Sequence, residues 1–139
     1  MNNHAWKTES HKTEKPWGYE ISWAALPQIH GKILHINAGH KTSFKYNVVK
    51  NEALFVMSGK VEITYGQEKS KIDSIAYPFK VKFFLPGDVL NIQPGAPYRI
   101  RAIEDSEIIE IGNMQSSPIV RVVDDYDRVT KEESWAKDL

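Results

Sequence analysis

An all-β barrel or double-sheet sandwich is the fold class this sequence predicts, on three observations. Short segments rich in β-branched and aromatic residues recur from about Trp17 to Ile111. Clusters of glycine, proline and asparagine separate them as turn signals. No apolar pattern of helical period interrupts the series. A chain of 139 residues suits one domain with a sizeable core and is too short for two ordinary ones.

Taken in order, residues 1–14 are polar and without apolar periodicity, and are expected to form an extended or partly disordered arm. A barrel is expected over 15–128. Ile33–Ile36 precedes the turn Asn37-Ala38-Gly39, and Leu54–Met57 is an apolar run ending at Ser58-Gly59. Val61, Ile63 and Tyr65 alternate with Glu62 and Thr64, the period of a strand with one buried face. Phe83–Leu85 runs into Pro86-Gly87, Leu90 and Ile92 alternate before Pro94-Gly95, and Tyr98, Ile100 and Ala102 alternate with Arg99 and Arg101. Ile108–Ile111 closes the series. The polar segment Gly66–Lys80 exceeds what a tight hairpin needs and reads as an insertion at one mouth of the barrel. A short helix is expected over 129–139, where Thr130 and Glu133 have capping-box spacing.

Composition narrows the function classes. Lys plus Arg and Asp plus Glu are 18 each, so no net field favours a nucleic-acid or membrane partner. The absence of cysteine excludes disulfides and thiolate metal sites. No apolar run is long enough for a membrane span, and Met1–Lys15 lacks the apolar segment of a signal peptide, so a cytoplasmic location is expected.

Two spaced motifs carry more specific information. From Gly39 the chain reads glycine, five residues, Lys45, one residue, Asn47, four residues, Glu52, six residues, Gly59. This frame resembles the first metal-binding motif of the cupin superfamily, in which the slots of Lys45 and Asn47 are commonly histidines. The second cupin motif, Gly-x-x-x-x-x-Pro-x-Gly-x-x-His-x-x-x-Asn, is matched in outline by Gly87 and Gly95. The proline is moved to Pro94 after Gln93, Tyr98 stands in the histidine slot and Ala102 in the asparagine slot.

Lys15-Pro16-Trp17-Gly18-Tyr19-Glu20 resembles the entry motif of the type II mannose-6-phosphate isomerase group, also found fused to GDP-mannose pyrophosphorylase. Lys32, Gly39 and Ser43 fall where that group has Lys, Gly and Ser. Ile119 to Arg128 resembles its closing Ile-Val-Arg-x-x-Asp-x-Tyr-Gly-Arg, with Asp127 in place of the glycine. The resemblance implies a single cupin barrel, and a metal-assisted sugar isomerisation for which most ligands here are replaced.

Lys45, Asn47, Glu52 and Tyr98 are a poor zinc set: one carboxylate, one amide and one phenol, with an ammonium that repels a dication. No metal and no other cofactor is expected. His35 and His40 are read as exposed or turn histidines rather than substitute ligands. In a strand Lys45 and Asn47 share a face, and the family register turns it inward. The Lys45 ammonium is then expected to take the cation's place, paired with Glu52. Lys45, Glu52 and Tyr98 are the candidate catalytic residues: Glu52 or Lys45 moves a proton and Tyr98 donates to an enolate oxygen. Lys32, Ser43, Asn47 and Arg128 are the candidate substrate-binding residues. Trp17 and Tyr19 are read as packing residues, Arg99 and Arg101 as a solvated face or subunit contact, and Arg121 and Arg128 chiefly as ion-paired surface.

Three functions remain open on the sequence. The first is a metal-independent sugar-phosphate or nucleotide-sugar isomerase or epimerase of carbohydrate or surface-polysaccharide metabolism. The second is a non-catalytic cupin that binds a carbohydrate or small anion, and the third a metalloenzyme with rearranged ligands. The expected partners are a small-molecule carbohydrate or sugar phosphate and a second copy of the chain, in a homodimer formed by pairing barrel edges.

Overall fold

The computed structural model describes residues 1–24 and 26–136. Among them are eleven strands: β1 (His11–Lys15), β2 (Gly18–Ser22), β3 (His30–Ile36), β4 (Phe44–Asn47), β5 (Glu52–Ser58), β6 (Val61–Tyr65), β7 (Lys80–Phe84), β8 (Val89–Ile92), β9 (Tyr98–Ala102), β10 (Ser106–Gly112) and β11 (Ile119–Val123). They form two antiparallel sheets, a six-stranded one in the order β1-β2-β3-β10-β5-β8 and a five-stranded one in the order β11-β4-β9-β6-β7. The predicted all-β jelly roll is the observed architecture. No helix among the described residues is long and apolar enough to cross a membrane.

Alternation along the strands builds the interior. Leu34 and Ile36 of β3, Leu54 and Val56 of β5, Val61 and Ile63 of β6, Ile100 of β9 and Ile108 of β10 are all buried in one cluster with Trp17. Each such side chain contributes roughly 1.5–3 kcal/mol by leaving water. At the end of the barrel nearest β11, the same inward face carries polar residues instead: His30 and Lys32 on β3, Lys45 and Asn47 on β4, Glu52 on β5 and Glu110 on β10. The turn after β5 depends on Gly59, which has φ 85° and whose missing Cβ would meet Ser106 Oγ at 2.2 Å.

The outer face of the six-stranded sheet is markedly apolar. Register aligns Ile21 with Ile33, Ile33 with Ile109, Ile109 with Phe55 and Phe55 with Val89. The result is an apolar stripe across five strands, flanked by exposed Met57 and Ile111.

The termini depart from expectation. The last part of the polar arm forms β1, paired with β2 from His11↔Ser22 to Lys15↔Gly18, because alternate donors and acceptors of β2 would otherwise lie bare at a sheet edge. The predicted helix is not formed over Thr130–Glu133, and only a 3₁₀ turn at Ser134–Ala136 follows. The Thr130 and Lys131 amides donate to the Arg121 carbonyl, while the Glu133 carboxylate accepts from Tyr46 Oη at 2.7 Å and from Trp135 Nε1. Donor and acceptor of the half of the capping box that joins the Glu133 carboxylate to the Thr130 amide are thereby committed elsewhere. Residues 137–139 of that expected helix lie outside the described residues. Trp135 stacks on Phe79 of the 66–80 insertion and meets Phe44 edge-on, which ties the insertion and the C-terminal segment to the five-stranded sheet. Asp127, in the slot of the family glycine, has φ 60°, the left-handed backbone for which glycine is best suited.

Candidate functional site

The inward polar residues enclose a small cavity of about 50 Å³, room for a few water molecules or one small anion. Its lining includes Trp17, Lys32, Lys45, Asn47, Glu52 and Tyr98. The cross-strand pair Lys45↔Tyr98 and the alternation of Lys45 with Asn47 bring these side chains together. Glu52 Oε1 accepts from Asn47 Nδ2 at 2.6 Å and from Tyr98 Oη at 3.1 Å. Glu52, Tyr98 and Asn47 therefore form one hydrogen-bonded unit.

The expected Lys45–Glu52 ion pair is replaced. The ammonium nearest Glu52 is that of Lys50, with Nζ at 3.8 Å from Oε2. Lys45 Nζ sits 5.8 Å from the centre of the Tyr98 ring and lines the cavity without a carboxylate at ion-pair distance. Lys50 belongs to the turn between β4 and β5, and its side chain folds back into the barrel, only 4 % exposed. Lys32 lines the cavity as expected, but its ammonium is held by Glu20 at 2.9 Å. Ser43 is buried outside the cavity lining, and neighbouring Thr42 takes the lining position. Arg128 is engaged by Asp124 through Nε at 2.8 Å and Nη2 at 3.0 Å, away from the cavity, so its expected part in substrate binding gives way to an ion pair.

Two central residues escape a reading of the sequence alone. His30 Nε2 lies 2.5 Å from Glu110 Oε2 and 3.8 Å from Glu52 Oε2, with all three residues buried. A signal for them exists: His30 shares the period-two face of Lys32, Leu34 and Ile36, and Glu110 that of Ser106 and Ile108. The histidines closer to the motif, His35 and His40, lie elsewhere. His35 stacks on Tyr19 with ring centres 4.7 Å apart, on the outer face, and exposed His40 contacts only the turn carbonyl of Ala38.

The two carboxylates are driven apart in acidity. Burial pushes Glu52 above the ordinary carboxylate range, and the Glu110 charge adds to this while Lys45 and Lys50 oppose it. Burial also penalises ionised Glu110, but the hydrogen bond from His30 and the charge of Lys45 outweigh it and hold that carboxyl below its usual value. Tyr98 is raised well above its ordinary value by burial and by the Glu52 and Glu110 charges, so it remains a phenol that donates. Glu52 is thus the weaker acid of the pair and Glu110 the stronger, a separation of the kind that acid–base chemistry uses.

His30, Glu52 and Glu110 present ligand atoms that all lie within 4.8 Å of one another, which raises the question of a metal. The surroundings do not suit a resident dication. Lys50 Nζ is 3.5 Å from His30 Nδ1 and 3.8 Å from Glu52, and Lys45 adds a second ammonium to the same cavity. The two carboxylates thus already face two fixed cations, and a divalent ion would leave a buried excess of positive charge.

Lys32 and Lys45 of the lining have two further basic neighbours outside it, Lys15 and Arg121. Burial lowers the pKa of Lys15, and the charges of Lys32, Arg121 and Lys45 add to this against the pull of Glu20. Arg121 stands opposite Lys45 in the β4–β11 register, and its Nε is buried with no hydrogen-bond partner. Asn47 Oδ1 is likewise buried and unpartnered. Among the described residues, then, an unsatisfied acceptor lies in the cavity lining and an unsatisfied donor on the neighbouring strand β11.

No protein-family model matches the sequence, and no curated protein matches it. Solved structures do match in fold. A point mutant of Bacillus subtilis oxalate decarboxylase OxdC superposes with a TM-score of 0.69 at 14% identity, over 86% of this chain and 34% of that one. KdgF from Halomonas sp. gives 0.61 at 14% identity, over 78% of this chain and 90% of its own. The capsular polysaccharide assembling protein CapF from Staphylococcus aureus gives 0.62 at 15% identity, over 81% of this chain and 31% of that chain. The chain thus spans about a third of the length of OxdC and CapF and most of KdgF. The fold is a single cupin jelly roll.

Proposed function

We propose that this chain is a metal-independent cupin that binds a sugar phosphate or nucleotide sugar through its anionic group. The observation that carries the reading is the pair Lys32 and Lys45 in the cavity lining, with Lys15 beside them on Glu20 and Arg121 opposite Lys45 in the strand register. Guanidinium and ammonium groups near a small polar cavity suit phosphate or carboxylate oxygens, and the Arg121 Nε, unpartnered among the described residues, supplies a directed donor. The likeness in fold to a capsular polysaccharide assembling protein is in keeping with a carbohydrate ligand.

Binding without turnover is favoured over an isomerase or epimerase reaction. At about 50 Å³ the cavity takes an anionic head group, whereas a sugar ring stays outside and cannot present a carbon to Glu52. Calorimetric titration with inorganic phosphate, hexose 6-phosphates and nucleotide sugars tests this reading. Saturable binding that is lost in Arg121→Ala and Lys45→Met is expected. The absence of binding by every anionic sugar, or binding indifferent to both substitutions, would refute it. Entry of solvent deuterium into a bound sugar would restore the catalytic alternative.

The same reading includes a homodimer, through the apolar stripe of the six-stranded sheet rather than through barrel edges. Ile33, Ile109, Phe55 and Val89 lie in register there, and burying such a face against its own copy removes it from water.

A further inference from the structure

A second and larger concavity lies away from the barrel cavity and shares no lining residue with it. It runs between the 66–80 insertion, the start of β7 and the free edge of β8, and encloses about 950 Å³. That volume is near the top of the roughly 300–1,000 Å³ range of ligand sites. Leu90 and Ala96 provide apolar surface backed by the core.

The chemistry of its walls is specific. Tyr65 and Tyr77 present aromatic rings, and Glu68, Asn91 and Gln93 present carboxylate and amide groups. Among the described residues, none of these five side chains makes a side-chain hydrogen bond to another part of the chain. Lys69 Nζ stands 5.4 Å from the centre of the Tyr77 ring and steadies it. Each amide offers both donors and an acceptor. Charge is nearly balanced, with Lys69 and Lys80 against Glu68, in contrast to the basic residues in and beside the barrel cavity.

We propose that this cleft binds an oligosaccharide of neutral sugars. Such a ligand alternates apolar C–H faces with hydroxyls that both donate and accept, which matches rings interleaved with open amides. A phosphate-rich polymer would lack sufficient counter-charge here. An extended peptide would have to pair along β8, which has only four residues and stands between Pro86 and Pro94. The site is independent of the anion site proposed above, and either can fail without the other.

The test is a titration of the full chain with cellohexaose, laminarihexaose and chitohexaose, followed by amide chemical shifts and calorimetry. Saturable binding of at least one, with shifts in 65–69 and 90–96, is expected. Tyr77→Ala and Gln93→Ala should each weaken it, the former about tenfold, as suits loss of one stacking ring. Lys45→Met in the barrel cavity should leave it unchanged. Both cleft variants alter surface side chains, and if one fails to fold the other gives the same reading. Failure of all three sugars to bind at millimolar concentration overturns the proposal. So does binding that resists both cleft substitutions, or that is lost in Lys45→Met. Binding of an unstructured peptide with protection of β8 amides, in the absence of glycan binding, overturns it as well.

Discussion

Replacing Glu110 by glutamine probes the most heavily committed charge in the barrel. Its carboxylate is buried and hydrogen-bonded to His30 at 2.5 Å. Against the cost of that burial, the bond and the charges of Lys45, His30 and Lys32 draw its pKa down from about 4.5 to about 2. A depression of that size corresponds to about 3 kcal/mol of folding stability at neutral pH. The same magnitude follows from the cost of leaving a buried ion cluster short of one partner, about 3–5 kcal/mol. Here the group left short is the set Lys45, Lys50 and His30, which would retain Glu52 alone inside the cavity. Because the folded-state value is depressed, the stability from Glu110 is fully present above the unfolded value near 4.5. It is lost as pH falls through the folded value near 2. Urea denaturation of wild type and Glu110→Gln at intervals from pH 7 to pH 2.5 therefore has a definite expected form. The gap is about 3 kcal/mol at pH 7, begins to close below pH 4.5 and has largely closed at the acid end. A gap under about 1 kcal/mol at pH 7, or one that does not shrink with acid, would refute the assignment of Glu110 as the ionised member of the pair.

The remaining predictions concern neighbouring features. Tyr98→Phe removes one donor to Glu52 and should cost about 1–2 kcal/mol in denaturant midpoint experiments, since the acceptor stays buried. Gly59→Ala places a Cβ at 2.2 Å from Ser106 Oγ and 2.5 Å from the Asp105 carbonyl at φ 85°, and should lower thermal stability by at least about 2 kcal/mol. Phe55→Lys, at the centre of the apolar stripe, should convert a dimer to a monomer in sedimentation velocity while leaving the β-sheet circular dichroism unchanged. Protein purified without a metal-affinity tag should contain no stoichiometric zinc, iron, manganese or nickel by elemental analysis, and metal found in Lys50→Met alone would show that the ammonium excludes it.

The strands were legible because their signal is local. Val61–Tyr65 and Tyr98–Ala102 alternate so regularly that the expected and observed spans coincide. The same period puts Lys45 and Asn47 on one face, the cupin resemblance implies that this face is inward, and with Glu52 and Tyr98 they do meet. The C-terminal helix was misread because a capping box describes what Thr130 and Glu133 can do for each other, and distant Arg121 and Tyr46 compete for the same groups. His30 and Glu110 show the period-two pattern, but 80 residues separate them, and no local pattern says that their strands are neighbours. Lys50 gave no signal at all, since a lysine in a polar turn ordinarily points to water.

By itself, then, the sequence determined the all-β class, its turns and the shared face of Lys45 and Asn47, because backbone geometry and side-chain period act over a few residues. The cupin resemblance implied the jelly roll and the inward turn of that face with Glu52 and Tyr98. Only the tertiary structure decided which charges share the barrel interior. It put Lys50 rather than Lys45 beside Glu52, set His30 on Glu110, and left Arg121 Nε without a partner among the described residues. Electrostatics in a low-dielectric volume depends on distances across sheets, and those exist only once both sheets have closed.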